Sequence, residues 1–231
     1  MRWTLLLGIL ALVALTAGHG IGLFASPPDA AMGQTVRILY LHVPSAWTAM
    51  LAFTVAAVAA VGVLWSGRPG WDALLEGSVE VGVVFCGMLL VQGSIWARPT
   101  WSVWWTWDPR LTTTAVMMMA FLGILLLRRL VDEPGRRATA SAVATIVSYV
   151  DVPVVYFSVE WWSAAHQGFS SARTVDEGMR LPLWVSLLGT VLLGATLVLW
   201  RTRIAAEARR REEDAPDLPP APPPLDLEIA P

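Results

Sequence analysis

The sequence predicts an all-α polytopic membrane protein with six transmembrane helices. Of its 231 residues, 55% are hydrophobic and 15% are charged, whereas soluble domains average about 45–50% apolar and about 25% charged residues. The apolar residues fall into six runs, each close to the roughly 20 residues that a helix needs to cross a bilayer. These runs are residues 3–25, 46–66, 73–95, 111–128, 138–158 and 181–201.

The arginines predict the orientation of these helices, because short cytoplasmic loops are enriched in basic residues. All 16 basic residues are arginine, and eleven of them fall on the side that holds both termini. The other side receives Arg37, Arg98, Arg110, Arg173 and Arg180. We therefore expect both termini to be cytoplasmic and three loops to lie on the outer side.

The two ends of the chain differ in character. The first run could be a signal peptide, but it stays apolar through Phe24, so we expect a retained helix. We expect residues 1–201 to form one six-helix domain. Residues 202–231 are charged and then proline-rich, a composition typical of a disordered, solvated tail.

A few polar residues fall inside the predicted spans. Glu80 lies deeper than Glu76 in the third helix, so it should face a neighbouring helix or be protonated, and a proton-transfer role stays open. Asp151 precedes Pro153, which should kink the fifth helix. The only cysteine, Cys86, is expected to be a small buried residue.

The first and third outer loops each bring a histidine close to the membrane boundary. Residues 31–42 have the apolar spacing of a helix lying along the interface. They end at His42, where Pro44 should start the second helix and keep Val43 extended. In the third loop, Trp162 and His166 are four residues apart, so they share a face if the fifth helix continues that far.

The second outer loop, residues 96–110, is unusually rich in tryptophan. It contains five indoles (Trp96, Trp101, Trp104, Trp105 and Trp107) followed by Asp108 and Arg110, far more than an interfacial aromatic belt requires. If the loop is helical, Trp101, Trp104 and Trp105 share one face. Asp108 and Arg110 could either cap the fourth helix or reach a bound ligand.

Two histidines and a flat aromatic surface on the same side are typical of a haem site. Histidine is a standard axial ligand of haem iron, indoles can cover a porphyrin face, and Arg37, Arg98 or Arg110 could bind its carboxylates. A histidine at a membrane interface is more often an ordinary surface residue, as we expect for His19. Composition and spacing alone leave both interpretations open.

Three segments resemble one known family. The stretch "WARPTWSVWWTWDPRLT" is similar to the tryptophan-rich signature of the haem-handling proteins of cytochrome c maturation, and its "WDPRLT" ending resembles the cytochrome c maturation protein C branch (CcmC, haem exporter protein C). "RILYLHVPSAW" and "VPVVYFSVEWWSAAHQG" agree, and the resemblance covers about residues 35–201. Family members often have glycine where Ala97 and Ser102 stand here.

The resemblance implies a non-enzymatic haem-delivery protein of the bacterial inner membrane, with its functional loops in the periplasm. His42 and His166 would be the two axial ligands of a non-covalent haem b. The haem chaperone CcmE would receive the haem, while the ATP-binding cassette subunits CcmA and CcmB, with the small CcmD, would use ATP. We expect contact with lipid and none with nucleic acid. The other haem-contacting residues would be Trp96, Trp101, Trp104, Trp105, Trp107, Trp161, Trp162, Asp108, Arg37 and Arg110.

Two other functions stay open at this stage. The chain could be a transporter subunit that moves haem through the bilayer, although its cytoplasmic side offers no histidine. It could also be a haem lyase of the same superfamily, but those proteins are larger and carry more helices.

Overall fold

The structure is a computed structural model that describes residues 2–162, 166, 168 and 174–214. Within this part of the chain, six helical segments are long and apolar enough to cross a membrane, which confirms the predicted fold class. They are α1 (Arg2–Phe24), α2 (Leu39–Ser66), α3 (Pro69–Trp101), α4 (Pro109–Leu130), the pair α5 (Pro134–Tyr149) and α6 (Asp151–Trp161), and α7 (Glu177–Glu213).

Helix α2 lies at the centre and packs against α3, α5 and α7, while α1 packs along α7 and α4 contacts α3, α5 and α6. Small residues let α1 and α7 approach closely. A Cβ atom added to Gly18 would lie 2.5 Å from the backbone nitrogen of Ser186. In the core, the buried rings of Phe53 and Phe121 stack with their centroids 3.7 Å apart.

The start of α2 differs from the prediction. The interfacial helix predicted over residues 31–42 is wrong, because only Gln34–Ile38 forms a 3₁₀ turn, which leads directly into α2. Pro44 lies inside α2, so Val43 is helical and not extended. Proline cannot donate to the carbonyl four residues earlier, which here belongs to Tyr40. That carbonyl instead accepts a hydrogen bond from Nε2 of His19 at 3.0 Å.

The fifth span is interrupted where the sequence predicts it. Helix α5 ends at Tyr149 and α6 begins at Asp151, because Pro153 cannot bond to the carbonyl of Tyr149. Asp151 has a buried Oδ2 with no hydrogen-bond partner among the described residues.

The tryptophan-rich segment is helical only in its first part. Helix α3 continues through Trp96 to Trp101, but residues 102–106 are not helical. The condition for Trp101, Trp104 and Trp105 to share one helical face is therefore not met. The helix stops because Ser102 adopts the left-handed conformation, with φ 61° and ψ 11°. Ser102 is the one non-glycine residue with a positive φ in the described part of the chain.

Replacing Ser102 with glycine is expected to stabilise the protein by about 1 kcal/mol, because the left-handed conformation is costly for residues with a Cβ atom. Thermal unfolding in detergent should show a higher midpoint for Ser102→Gly. The matched control is Ser66→Gly. Ser66 is the last residue of α2 and has an ordinary helical conformation, so glycine should destabilise the protein at this position. Equal shifts in both variants would contradict the strain at Ser102.

Four charged side chains meet where α3 begins and α4 ends; Asp72 and Arg128 are buried, and Glu76 and Arg209 are partly buried. Arg128 of α4 donates to Asp72 at 2.8 Å and to Glu76 at 2.8 Å. Arg209 of α7 donates to Asp72 at 2.8 Å and also contacts Glu76. Deeper in the bundle, Glu80 accepts from Arg201 at 2.7 Å, so it faces a neighbouring helix as predicted. We call Asp72, Glu76, Arg128 and Arg209 the ionic cluster.

Candidate functional site

A cavity of about 340 Å³ lies at the opposite end of the bundle from the ionic cluster. It forms where α2 begins, α3 ends, α4 begins and α6 ends, so residues far apart in sequence meet there. Its lining includes Met32, His42, Val43, Ala46, Trp47, Met50, Leu89, Leu90, Gly93, Ser94, Trp96, Ala97, Thr100, Trp101, Trp105, Arg110, Leu111, Thr114, Met117, Val155, Tyr156, His166 and Gly168.

Both histidines predicted to bind a ligand line this cavity. The ring centroids of His42 and His166 are 6.2 Å apart, and the ring planes are inclined by 30°. His42 comes from the first turn of α2, whereas His166 follows the end of α6. The fold therefore brings together two imidazoles that the sequence places on separate loops.

The His42 ring is held by packing against α3. The residue is 8% exposed, and the Trp96 ring meets its ring edge-on, with centroids 5.6 Å apart. On the same helix, a Cβ atom added to Gly93 would lie 3.3 Å from Cε1 of His42. Nδ1 of His42 is buried and has no hydrogen-bond partner among the described residues. Steric contacts thus fix the orientation of this ring.

His166 is positioned differently. The helix does not continue far enough for Trp162 and His166 to share a helical face, because α6 ends at Trp161 and Trp162 is extended. Instead, the backbone N–H of His166 donates to Oδ2 of Asp108 at 3.4 Å. A residue from the end of the tryptophan-rich segment therefore holds the backbone of the second histidine.

Asp108 and Arg110 form the start of α4 and connect it to its surroundings. Asp108 caps the helix, since its Oδ1 accepts from the backbone N–H of Arg110 at 2.9 Å. The Arg110 guanidinium donates to the carbonyl of Tyr156 at 2.7 Å and to Oγ of Ser158 at 3.4 Å. Of the two roles considered from sequence for Asp108, the structure shows the helix cap.

The tryptophans separate into two groups. Trp96, Trp101 and Trp105 line the cavity, and Trp96 is the most buried of them. Four others have much of their surface exposed: Trp104 (60%), Trp107 (82%), Trp161 (56%) and Trp162 (48%). The segment is therefore not a single flat wall, because only part of it faces the cavity.

The arginines considered for carboxylate binding also differ in position. Arg110 lines the cavity, whereas Arg37 and Arg98 are not among its lining residues. Arg37 donates to the carbonyls of Leu23 and Ser26 at the end of α1, and Arg98 donates to the carbonyl of Ser102. Arg37 thus secures the chain between α1 and α2.

Sequence reasoning missed several residues of the cavity wall. Trp47 of α2 and Tyr156 of α6 contact each other edge-on, with ring centroids 5.8 Å apart, and both line the cavity beside Gly93. A signal for the α2 contribution was present, because Val43, Ala46, Trp47 and Met50 have the i, i+3, i+4, i+7 spacing of one helix face. No comparable signal marked Gly93 or Tyr156.

Comparison with known proteins identifies relatives that match most of this chain. A family model described as heme exporter protein C matches residues 1–216. The chain belongs to the heme exporter protein C family. The curated heme exporter protein C of Bradyrhizobium diazoefficiens is 37% identical over 197 residues, which cover 82% of this chain and 75% of that protein.

Other heme exporter C proteins are similarly related. The Escherichia coli K12 protein is 35% identical over 199 residues, covering 85% of this chain and 81% of its own length. The Haemophilus influenzae protein is 33% identical over 211 residues, covering 91% and 85%. Family membership therefore applies to the six-helix domain as a whole.

Proposed function

We propose that this chain is a non-enzymatic protein that binds haem b between His42 and His166 and delivers it to the haem chaperone CcmE. Membership in the heme exporter protein C family supports a role in haem handling for cytochrome c biogenesis. The observation that carries the finer proposal is the 6.2 Å separation of two imidazole rings that line one cavity.

This separation suits one iron atom between two imidazoles. A ligating nitrogen lies about 2.0 Å from a bound metal, with the ring centre about 1.2 Å further away, so two rings on opposite sides would be about 6.4 Å apart. The buried Nδ1 of His42 has no hydrogen-bond partner among the described residues, so the polar capacity of this ring is not fully used within the protein. The donor set therefore fits a haem with two histidine ligands.

The rest of the cavity suits a flat, mostly apolar molecule with acidic groups on one edge. Its volume of about 340 Å³ falls within the roughly 300–1,000 Å³ of small-molecule sites. The indoles of Trp96, Trp101 and Trp105 supply apolar surface. Arg110 is the arginine we assign to a haem propionate, because a guanidinium has five N–H donors and can bind α6 and a carboxylate together.

Delivery requires that the site be reachable by a partner. We propose that the exposed indoles of Trp104, Trp107, Trp161 and Trp162 meet the chaperone or the membrane interface beside the cavity, because exposed tryptophans are favoured at both kinds of surface.

In this proposal the cavity end lies at the periplasmic face of the bacterial inner membrane. CcmA and CcmB, with CcmD, would supply ATP hydrolysis.

The proposal is tested by the optical spectrum and by transfer of haem. The purified full-length chain, supplied with haem, should show a low-spin spectrum typical of two histidine ligands. Coexpression with the chaperone should then yield a haem–chaperone adduct that depends on this chain. A wild-type protein that binds haem only in a high-spin form would refute the ligand assignment, and adduct formation without this chain would refute delivery.

A further inference from the structure

The contacts of Asp108 join two functions in one carboxylate. Its Oδ1 accepts a hydrogen bond from the backbone N–H of Arg110 at 2.9 Å, and this bond caps α4. Its Oδ2 accepts a hydrogen bond from the backbone N–H of His166 at 3.4 Å. We propose that Asp108 is a positioning residue that places His166 opposite His42. This inference rests on the proposed haem-binding function.

Asp108 is suited to this task because its own position is strongly constrained. The residue is 7% exposed, and it directly precedes Pro109, which begins α4. The same turn of α4 is fixed to α6 through the bonds from the Arg110 side chain to Tyr156 and Ser158. The carboxylate therefore connects His166 to a frame made of two packed helices.

The arrangement also indicates that Asp108 acts through His166 and not on the ligand itself. Asp108 is not among the residues that line the cavity, whereas His42, Arg110 and His166 are. The two histidines depend on different supports, since the His42 ring is packed against Gly93 and Trp96 of α3. Loss of Asp108 should therefore displace His166 from its position opposite His42 and leave His42 in place.

The experiment compares Asp108→Ala and Asp108→Asn in the purified full-length chain loaded with haem. Asp108→Ala should convert low-spin haem to a high-spin form with one histidine ligand. Haem should dissociate at least about tenfold faster, because loss of a residue that orients a metal ligand typically lowers metal affinity roughly 10–100-fold. Added imidazole should restore the low-spin spectrum by occupying the position that His166 leaves. Asp108→Asn keeps an acceptor oxygen and should remain largely low-spin.

Glu133→Ala is the matched control. Glu133 caps α5 and accepts from two backbone N–H groups, of Gly135 and Arg136, but it lies at the end of the bundle away from the cavity. This variant should lower the thermal midpoint and leave the haem spectrum unchanged. It separates loss of a helix cap from loss of histidine positioning.

Two results would overturn the inference while leaving the proposed function intact. One is an Asp108→Ala protein that is less stable but fully low-spin, which would make Asp108 only a helix cap. The other is haem loss that imidazole does not reverse, which would indicate direct contact with haem. If Asp108→Ala does not fold, Asp108→Ser takes its place, because serine keeps a helix-capping oxygen but lacks the second carboxylate oxygen that accepts from His166. A fully low-spin Asp108→Ser protein would then refute the inference. A wild-type protein without low-spin haem would instead refute the proposed function.

Discussion

The His42→Ala variant is expected to lose haem at least about 100-fold faster than the wild-type protein. Loss of a residue that only orients a metal ligand lowers metal affinity roughly 10–100-fold, and loss of the ligand itself should cost at least as much. His166→Ala should have a smaller effect and retain high-spin haem on the remaining ligand. The reason is the unequal support of the two rings. His42 is built into α2 and packed against Trp96, whereas His166 lies outside the helices.

Stopped-flow transfer of haem to apomyoglobin measures both dissociation rates, and optical spectra report the spin state. His19→Gln serves as the control, because His19 bonds to the carbonyl of Tyr40 and does not line the cavity, and glutamine keeps an N–H donor. This variant should retain the wild-type spectrum. Low-spin haem with unchanged dissociation in both His42→Ala and His166→Ala would exclude them as ligands.

The sequence predicted the six spans well, because a bilayer imposes a length and an apolar composition that can be read directly from the residues. It was less accurate at the helix ends, because several helices continue beyond the apolar runs. Helix α7 reaches Glu213, so the first part of the region predicted to be a disordered tail, residues 202–231, is helical. Helix α2 begins seven residues before the predicted start at residue 46, and α3 continues six residues past residue 95. Hydropathy cannot mark these extensions, because polar residues and proline occur in them without ending the helix.

The site could be predicted only in part for a related reason. His42, His166 and the tryptophan-rich segment are visible as unusual residue types at helix ends. The roles of Gly93 and Tyr156 come from tertiary packing, since each matters through a residue on another helix. Asp108 was considered as a cap or a ligand contact, but its bond to the backbone of His166 depends on how two loops meet.

The acidic residues of α3 show the same limit. Glu76 and Glu80 stood out as charges near or within a membrane span, but their arginine partners lie on α4 and α7, far away in sequence. Asp72 carries no distinguishing signal in the sequence, although it is 5% exposed and bonds to two arginines. The sequence of one helix can identify a charge whose burial is energetically unfavourable, but it cannot identify the helix that supplies the opposite charge.

The ionic cluster gives the largest expected effect on stability. Replacing Arg128 with alanine should destabilise the protein by about 3–5 kcal/mol, because Asp72 and Glu76 would then share Arg209 alone and one acidic charge of the cluster would be uncompensated. The side chains of Arg128 and Asp72 are 6% and 8% exposed, and Arg128 bonds to both acidic residues of the cluster. The adjacent Arg129 is exposed, so Arg129→Ala should change stability by less than about 1 kcal/mol.

Unfolding of the variants in a mixed detergent series measures these differences. The double variant Arg128→Met/Asp72→Leu should be more stable than Arg128→Ala, because it removes a charge of each sign and leaves Glu76 paired with Arg209. Haem bound to the folded fraction should keep the wild-type spectrum in all three variants, since the cluster and the cavity lie at opposite ends of the bundle. An Arg128→Ala effect as small as that of Arg129→Ala would show that Arg209 alone compensates both acidic residues, and that Arg128 is not needed to hold α3, α4 and α7 together.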